Sequence, residues 1–261
     1  MTRSNDTNKF YDSVAEYYPL FYRDWETQLD REGLSLRALF RNKGVTRVLD
    51  ASCGAGTQSI SLARLGFDVV AADPSPGMLN KAKSNAAQYG VDSKIEFHCT
   101  DFLHLTDKVN GPFDAIVTKG SALPHLLLDD EIELALHIFY DLLRPGGMLV
   151  IGMRDFEPFM EDRPRFLPGF VHDEESGEEV VTFDLWEWHD GPPVIATRNL
   201  FIVKGSDEHG YETIKRQVMF RPLSTDEVKV VLLEAGFEEI TDQPDRAERV
   251  LVARKPLGAS Q

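Results

Sequence analysis

The hydrophobic and polar positions of the chain first repeat with the period of a helix. Residues 8 to 40 place apolar and aromatic side chains at helical spacing, and Pro19 interrupts them, so the pattern predicts two short helices. Three tyrosines are expected on the first helix and three leucines on the second, namely Tyr11, Tyr17 and Tyr18, then Leu29, Leu36 and Leu39.

From Arg47 onward, short apolar runs alternate with helical segments. Strands are predicted at Val48-Leu49, Val69 to Ala72, Ile95 to Phe97, Ala115 to Val117 and Met148 to Ile151. Helices are predicted at Gln58 to Leu65, Gly77 to Gln88 and Glu131 to Leu143. Alternation of this kind predicts an α/β domain with a mostly parallel sheet and right-handed crossovers.

After Ile151 the alternation stops and later resumes. Three strand-like runs, Val180 to Trp188, Val194 to Val203 and Tyr211 to Phe220, predict an inserted antiparallel sheet. Ser224 and Glu227 then form a capping box for a helix that ends at Gly236, and a strand pair (238–241 and 249–254) completes a seven-stranded sheet. The expected divisions are a helical N-terminal lid (1–44), an α/β core (45–154), an inserted substrate-side lid (155–222), the end of the core (223–256) and a disordered tail (257–261).

Composition excludes several classes of function. The chain has 261 residues and a formal charge of −15, so it is a poor candidate for binding nucleic acid or anionic membranes, which attract Lys and Arg. Its two cysteines cannot form a disulfide framework, and no cluster of His, Asp or Glu has metal-ligand spacing, so no metal is predicted. No signal-like or membrane-spanning run is evident, which predicts a cytoplasmic protein.

The negative charge is concentrated in one segment. Residues 155 to 190 hold twelve Asp and Glu but only two Arg. This acid is interpreted either as a solvated surface or as a field that steers a cationic amine or sulfonium inward.

A glycine-rich turn follows the first strand of the α/β pattern. The run VLDASCGAGT places Asp50 at the strand end and Gly54 and Gly56 in the turn before a helix, where backbone N–H groups point outward. Asp73 ends the next strand, 17 residues beyond Gly56, where a carboxylate can accept both hydroxyls of a ribose. Ser59 stands where a dinucleotide fingerprint has its third glycine or alanine, which weakens an NAD or FAD interpretation without excluding it.

A third carboxylate, Asp101 with Phe102, follows the third strand, as expected for a group that accepts from an adenine amino group beside an aromatic ring. Acidic and glycine residues at the ends of three successive strands resemble the class I S-adenosylmethionine-dependent methyltransferases, a Rossmann-like family. The resemblance implies S-adenosylmethionine as cofactor and S-adenosylhomocysteine as product. The cofactor-binding candidates are Asp50, Ser52, Gly54, Gly56, Asp73, Pro74, Met78, Asp101, Phe102 and Lys119.

Each candidate also has a purely structural interpretation. Asp50 could cap the turn, Asp73 could cap the following helix, and Met78 could belong to the core. In the aromatic N-terminal segment, Tyr22 and Trp25 are singled out as rings that would shield a sulfonium by cation–π contact, with core packing as the alternative.

The fourth and fifth strand ends carry a narrower resemblance. The run G-S-A-L-P-H-L at Gly120 to Leu126 and the segment Arg154-Asp155-Phe156 are similar to the glycine and sarcosine N-methyltransferases. That resemblance implies that Arg154 holds the carboxylate of an amino-acid acceptor. Ser121 replaces the family's asparagine and cannot reproduce both polar edges of an amide, so the acceptor is expected to be larger than glycine or differently arranged.

The predicted acceptor site therefore contains Arg154, Ser121 and His125, and the predicted reaction is N-methylation of a small amine that bears a carboxylate. Arg154 in an ordinary ion pair and His125 as a packed structural histidine are the alternatives. Trp186, Trp188, Arg198 and Tyr211 of the inserted sheet could also reach the acceptor, but an alternating pattern does not say which face is inward. Methylation of a metabolite without a carboxylate, a dinucleotide enzyme and a non-catalytic cofactor-binding module stay open as other functions.

Overall fold

The computed structural model describes residues 3–174, 176–245 and 248–258, and within these ranges the chain has seven α-helices and eleven β-strands. The helices are α1 (Arg3–Val14), α2 (Trp25–Phe40), α3 (Thr57–Arg64), α4 (Pro76–Gln88), α5 (Asp129–Leu142), α6 (Glu157–Asp162) and α7 (Thr225–Glu234). The strands are β1 (Arg47–Asp50), β2 (Asp68–Asp73), β3 (Ile95–Cys99), β4 (Phe113–Thr118), β5 (Leu143–Arg154), β6 (Phe166–Asp173), β7 (Glu179–His189), β8 (Ile195–Ser206), β9 (Gly210–Phe220), β10 (Glu238–Asp245) and β11 (Glu248–Arg254).

The N-terminal segment differs from its prediction in one respect. Between α1 and α2 the chain forms a 3-10 segment, Ala15–Phe21, and Tyr17 and Tyr18 lie there rather than on the first helix. Pro19 explains the difference, because it has no N–H to donate within an α-helix and restricts the residue before it. Helix α2 then begins where the Asp24 carboxylate accepts the backbone N–H of Thr27 at 2.5 Å.

The central sheet has seven strands in the order β10-β11-β5-β4-β1-β2-β3. Strands β1 to β5 pair in parallel, and β11 pairs antiparallel with both β5 and β10. The mostly parallel α/β fold predicted from the alternating pattern is therefore confirmed. Neighbours of β1 on its two sides, β2 and β4, come from different crossovers, and ligands of such sheets bind where the strand order reverses.

Helix starts follow the local sequence closely. Ser75 caps α4, because its hydroxyl accepts the backbone N–H of Met78 at 3.1 Å. The predicted capping box of α7 is present, with reciprocal bonds between Ser224 and Glu227. Helix α6, at the start of the acidic segment, was not predicted.

A second sheet is antiparallel and has four strands in the order β6-β7-β8-β9. The sequence predicts three of them and misses the edge strand β6. Pro168 and Gly169 interrupt β6 and most of its residues are exposed, so it lacks an alternating pattern.

The inner face of the second sheet packs against the N-terminal segment. Trp186, Leu200 and Phe220 from three of its strands form one buried cluster with Phe10 and Val14 of α1. The carboxyl ends of the parallel strands thus face the N-terminal segment and this sheet, and the candidate site lies among these three parts.

Candidate active site

A cavity of about 580 Å³ lies at the carboxyl ends of the parallel strands. Residues that follow four neighbouring strands line it, together with two tyrosines of the N-terminal segment. These are Gly54, Asp73, Asp101 and Gly120, with Tyr11 and Tyr18. The three strand ends that the sequence singles out, after β1, β2 and β3, therefore meet at one cavity.

The two turn glycines have different places. Gly54 (φ +52°) lines the cavity, and a β-carbon there would lie 3.6 Å from the Tyr18 hydroxyl. Gly56 (φ +95°) does not line the cavity, and a β-carbon there would lie 2.9 Å from the Ile60 side chain. Gly54 therefore lets a ligand approach the backbone, whereas Gly56 shapes the turn that starts α3.

Asp73 connects the turn to the second strand. Its Oδ2 accepts the backbone N–H of Gly54 and its Oδ1 accepts that of Ser75, both at 2.9 Å. Burial raises the pKa of the Asp73 carboxyl to about 6, although these two hydrogen bonds oppose the shift. Each oxygen keeps lone-pair capacity for a further donor, and with Pro74 the side chain lines the cavity.

One carboxylate oxygen of Asp101 is hydrogen-bonded to the loop that follows β3. Its Oδ1 accepts the backbone N–H groups of Leu103 and His104, at 3.0 and 3.1 Å, and lies 2.7 Å from the His104 ring Nδ1. The carboxylate is thus fixed beside Phe102, and both residues line the cavity.

Asp50 lies beneath the glycine turn rather than on the cavity wall. It is fully buried, and its Oδ2 accepts the Ser59 hydroxyl at 2.5 Å. Burial raises the pKa of the Asp50 carboxyl to about 7, against the effect of that bond. Its Oδ1 has no hydrogen-bond partner within the described ranges. Ser59, at the position of the missing third glycine, therefore fixes Asp50 in place.

Lys119 lines the cavity, but its amine lies in a buried cluster of charged side chains. The Nζ lies 2.7 Å from Glu32, 3.5 Å from Glu248 and 3.8 Å from Asp245. Burial disfavours the charged amine, but these carboxylates outweigh it and raise the pKa of Lys119. The cluster links α2 to β4 and β11 below the site. Ser52 also lines the cavity, its hydroxyl 2.9 Å from that of Thr118.

The stem of Lys119 makes a glycine necessary at position 152. A β-carbon on Gly152 would lie 2.6 Å from Lys119 Cε and 2.8 Å from its Cγ. We expect Gly152→Ala to lower the free energy of unfolding by about 1 to 3 kcal/mol, as overpacking does, measured by urea denaturation. Gly191→Ala, where the nearest atom is 3.5 Å away, is the control, and equal midpoints for both variants would contradict the crowding.

Besides Asp50 and Gly56, three further predicted cofactor residues lie away from the cavity wall. Met78 is fully buried in the cluster beneath the second sheet. Tyr22 and Trp25 contact each other edge to face, with ring centroids 5.6 Å apart. Tyr11 and Tyr18 of the same aromatic N-terminal segment, which the sequence predicts to fold over the cofactor, line the cavity instead. Tyr11 lies on α1 and Tyr18 in the 3-10 segment, and the sequence alone does not say which of the aromatic rings face the cavity.

Arg154, at the end of β5, packs against two aromatic rings that also contact each other, with 5.7 Å between their centroids. Its Cζ is 4.7 Å from the centre of the Phe159 ring and 5.9 Å from that of Trp186. Burial lowers the pKa of the guanidinium, and within the described ranges no carboxylate pairs with it. Ser121 (φ +63°) accepts the backbone N–H of Arg154 at 2.8 Å, so it braces the strand end.

His125 and Tyr11 form a hydrogen-bonded pair at the cavity. His125 Nδ1 lies 3.0 Å from the carbonyl oxygen of Met219, which only accepts, so Nδ1 carries the proton. Burial lowers the pKa of His125 to about 4, and the ring is therefore neutral at pH 7. Its bare Nε2 then accepts the hydroxyl of Tyr11 at 2.7 Å, which leaves the lone pairs of the Tyr11 oxygen for another donor.

The same ranges also bear on metal binding and membrane insertion. No group of three or more His, Cys, Asp or Glu side chains among the described residues is placed to hold a metal ion. No helix in the described part of the chain has the length and apolar content to cross a membrane.

Comparison with known proteins agrees with this geometry. Residues 48–147 match the family described as a methyltransferase domain. The solved structure of CalS10 with bound SAM, an amino pentose methyltransferase from Micromonospora echinaspora, superposes with a TM-score of 0.70 at 20% identity. That superposition covers 93% of this chain and 96% of the other. The chain has the class I methyltransferase fold, and its residues 48–147 match a methyltransferase domain.

The proteins that are similar in sequence carry more specific descriptions than the family model does. The glycine/sarcosine N-methyltransferase of Parasynechococcus marenigrum is 33% identical over 138 residues, which is 53% of this chain and 48% of that protein. The protein of the same description from Aphanothece halophytica is 29% identical over 229 residues, covering 86% of this chain and 78% of its own length. The chain spans about half the length of the first relative.

The described residues fit S-adenosylmethionine. Gly54 presents bare backbone to the cavity, and Asp73 and Asp101 present carboxylates to it from neighbouring strands. These groups match a ligand that carries hydroxyls, an adenine amino group and a positive charge.

Proposed function

We propose that the protein transfers a methyl group to the nitrogen of a small amine that bears a carboxylate, such as glycine or sarcosine. The observation that carries this proposal is Arg154, a half-buried guanidinium that packs against two aromatic rings at the end of β5. Such a cation favours an anionic ligand, and guanidinium binds carboxylate through paired, charge-assisted hydrogen bonds. The named N-methyltransferase relatives support the choice.

In this proposal different residues would bind different parts of the cofactor. Asp73 would hold the ribose hydroxyls, Asp101 and Phe102 the adenine, and Gly54 would lie along the methionyl chain. The cofactor supplies the methyl group as an electrophilic sulfonium. Asp50 would act indirectly, because its hydrogen bond to Ser59 of α3 holds the two ends of the glycine turn together.

The acceptor would lie between Arg154 and the Tyr11–His125 pair. Arg154 would take the carboxylate, and the Tyr11 oxygen would accept an N–H of the amine, because its own proton is engaged by His125. Phe159 and Trp186 would form apolar walls. These contacts would align the nitrogen lone pair and exclude water, which is the main demand of a displacement reaction.

We also propose a role for each of the predicted divisions of the chain. The segment 1–44 would act as a lid, 45–154 and 223–256 as the cofactor-binding core, and 155–222 as the cover on the acceptor side. Of the predicted disordered tail (257–261), residues 259–261 lie outside the described residues. A cytoplasmic location likewise stays a prediction.

A second candidate is an amine acceptor without a carboxylate, such as an amino sugar. Ser121 favours it, because the hydroxyl is already bonded to the backbone of Arg154 and replaces an amide that would recognise a small amino acid. CalS10, an amino pentose methyltransferase with the same fold, points the same way.

A panel assay tests the proposal. The protein is incubated with S-adenosylmethionine and with glycine, sarcosine, larger amino acids, neutral amines, amino sugars and phenols, and release of S-adenosylhomocysteine is measured. We expect turnover with carboxylate-bearing amines. Turnover confined to amino sugars or neutral amines would support the second candidate. Turnover confined to phenols, or cofactor binding with no turnover, would contradict both.

A further inference from the structure

Two rows of side chains cross the inner face of the second sheet. Residues directly opposite each other on antiparallel strands point to the same face. The register of β7, β8 and β9 aligns Trp186 with Arg198 and Arg198 with Val218. The adjacent row contains Trp188, Ala196 and Phe220. Arg198 is therefore an inward-facing cation, whereas Tyr211, at the far end of the sheet, is 48% exposed.

Arg198 lies between the two groups that the proposed function assigns to the acceptor. On one side, in its own row, the Arg154 guanidinium lies over Trp186, 5.9 Å from the ring centre. On the other side, in the adjacent row, the His125 ring lies on Phe220 with centroids 4.2 Å apart. Tyr11, bonded to His125, lies on the same side.

Two contacts fix the position and orientation of the Arg198 guanidinium. Its Nε donates to Asp184 Oδ1 at 2.8 Å, and its Cζ lies 5.5 Å from the centre of the Phe21 ring. Asp184 pairs in register with Leu200, one row beyond Arg198 and away from Phe220. The negative end of this ion pair therefore points away from His125, and the positive end is nearer to the acceptor space.

The electrostatic effect on the neighbours agrees with this direction. After burial, which dominates, the charge of Arg198 helps to lower the pKa of His125 and opposes the rise in the pKa of Tyr11. At Arg154, Asp184 and Glu248 act against Arg198. The charged and titratable groups around Arg198 are Tyr11, His125, Arg154, Asp184 and Arg216.

We propose that Arg198 is a positioning residue whose fixed positive charge keeps the acceptor amine neutral and nucleophilic in the site. The inference rests on the proposed function. An ammonium ion has no lone pair, so it must give its proton to solvent water before the nitrogen can attack. A cation close to the nitrogen disfavours the ammonium form and lowers its pKa, and no other co-reactant is needed.

The pH dependence of kcat, measured at saturating acceptor and cofactor, tests this role, because kcat reports ionisations in the enzyme–substrate complex. In Arg198→Met the amine loses a neighbouring positive charge, so its pKa in the site rises and the acid limb moves to higher pH, by about one unit. Arg198→Lys should keep the wild-type profile. Arg216→Met is the matched control, because Arg216 lies on the same face but is bonded to Ser13 of α1.

Asp184→Asn should shift the acid limb of the pH profile in the opposite direction to Arg198→Met. This nearly isosteric change leaves the charge of Arg198 uncompensated, so the acid limb should move to lower pH. The variant also keeps the proposal testable if Arg198→Met does not fold. An unchanged limb in Asp184→Asn, or an equal shift in Arg198→Met and Arg216→Met, would overturn the proposal.

A measurement without turnover separates this inference from the proposed function. The NMR titration of the His125 ring should move upward from about pH 4 in Arg198→Met, and not in Arg216→Met. If the wild-type protein methylates no amine but the titration moves, the proposed function fails while the field of Arg198 is established. If the titration does not move, the inference fails whatever the enzyme methylates.

Discussion

Replacing Asp73 by alanine is expected to weaken S-adenosylmethionine binding by one to two orders of magnitude. In the proposed complex the ribose hydroxyls would lose their carboxylate and stay buried without acceptors, which costs about 1 to 3 kcal/mol. The backbone N–H of Gly54, which Asp73 accepts at 2.9 Å, would also lose its partner and loosen the turn. Isothermal titration of the variant with S-adenosylmethionine measures the loss.

Asp68→Ala is the matched control for this prediction. Asp68 begins the same strand β2, but its carboxylate is exposed and pairs with Arg47 at 3.6 Å. Its affinity for the cofactor should equal that of the wild type. Retained affinity in Asp73→Ala would mean that the ribose contact is elsewhere. Titration with NAD and FAD completes the set, and binding of either would favour the dinucleotide alternative.

Replacing Arg154 by methionine is expected to raise the acceptor KM by at least tenfold while cofactor affinity persists. One lost charge-assisted pair is worth about 1.5 to 3 kcal/mol, which corresponds to roughly 10- to 150-fold in binding. Methionine keeps much of the apolar contact with Phe159 and Trp186, so the change removes mainly the charge. Initial rates over a range of acceptor concentrations, at saturating cofactor, measure the effect.

Arg163→Met is the control for Arg154. Arg163 lies in the same stretch of chain, but its side chain is exposed and pairs with Asp190 at 2.7 Å. Its acceptor KM should not change. The carboxylate clamp is wrong if Arg154→Met keeps the wild-type KM, or if Arg163→Met raises KM as much.

Much of the cofactor side was predictable from the sequence because parallel strands impose it. Once β1, β2 and β3 are recognised as neighbours in a parallel sheet, the residues at their carboxyl ends must share one edge. Gly54, Asp73 and Asp101 do so. The same logic predicts the seven-stranded sheet, since an apolar run between helical segments leaves few alternatives.

The remaining features depend on tertiary contacts that local patterns do not encode. The aromatic pattern favours Tyr22 and Trp25, but the packing of α1 places Tyr11 at the cavity and the 3-10 segment places Tyr18 there. The sequence does not predict the hydrogen bond between Ser59 and Asp50 either, because in the sequence Ser59 is only a departure from the dinucleotide-binding fingerprint. Strand β6 has no periodic signal at all.

The acidic segment shows the same limit. Its charge alone suggested either a solvated surface or steering, and most of its described carboxylates are exposed. Asp184 is the buried exception among them, and it pairs with Arg198 on the inner face of the sheet. A count of charges could not distinguish this one side chain from its exposed neighbours.

The central claim is that a carboxylate binds at Arg154 while S-adenosylmethionine or its product occupies the cavity. Titration of acetate and glycine into the complex with S-adenosylhomocysteine tests it most directly, by calorimetry on the wild type and on Arg154→Met. We expect saturable binding to the wild-type complex that is at least tenfold weaker in the variant. Equal binding to both proteins, or no binding to the wild type, would contradict the account.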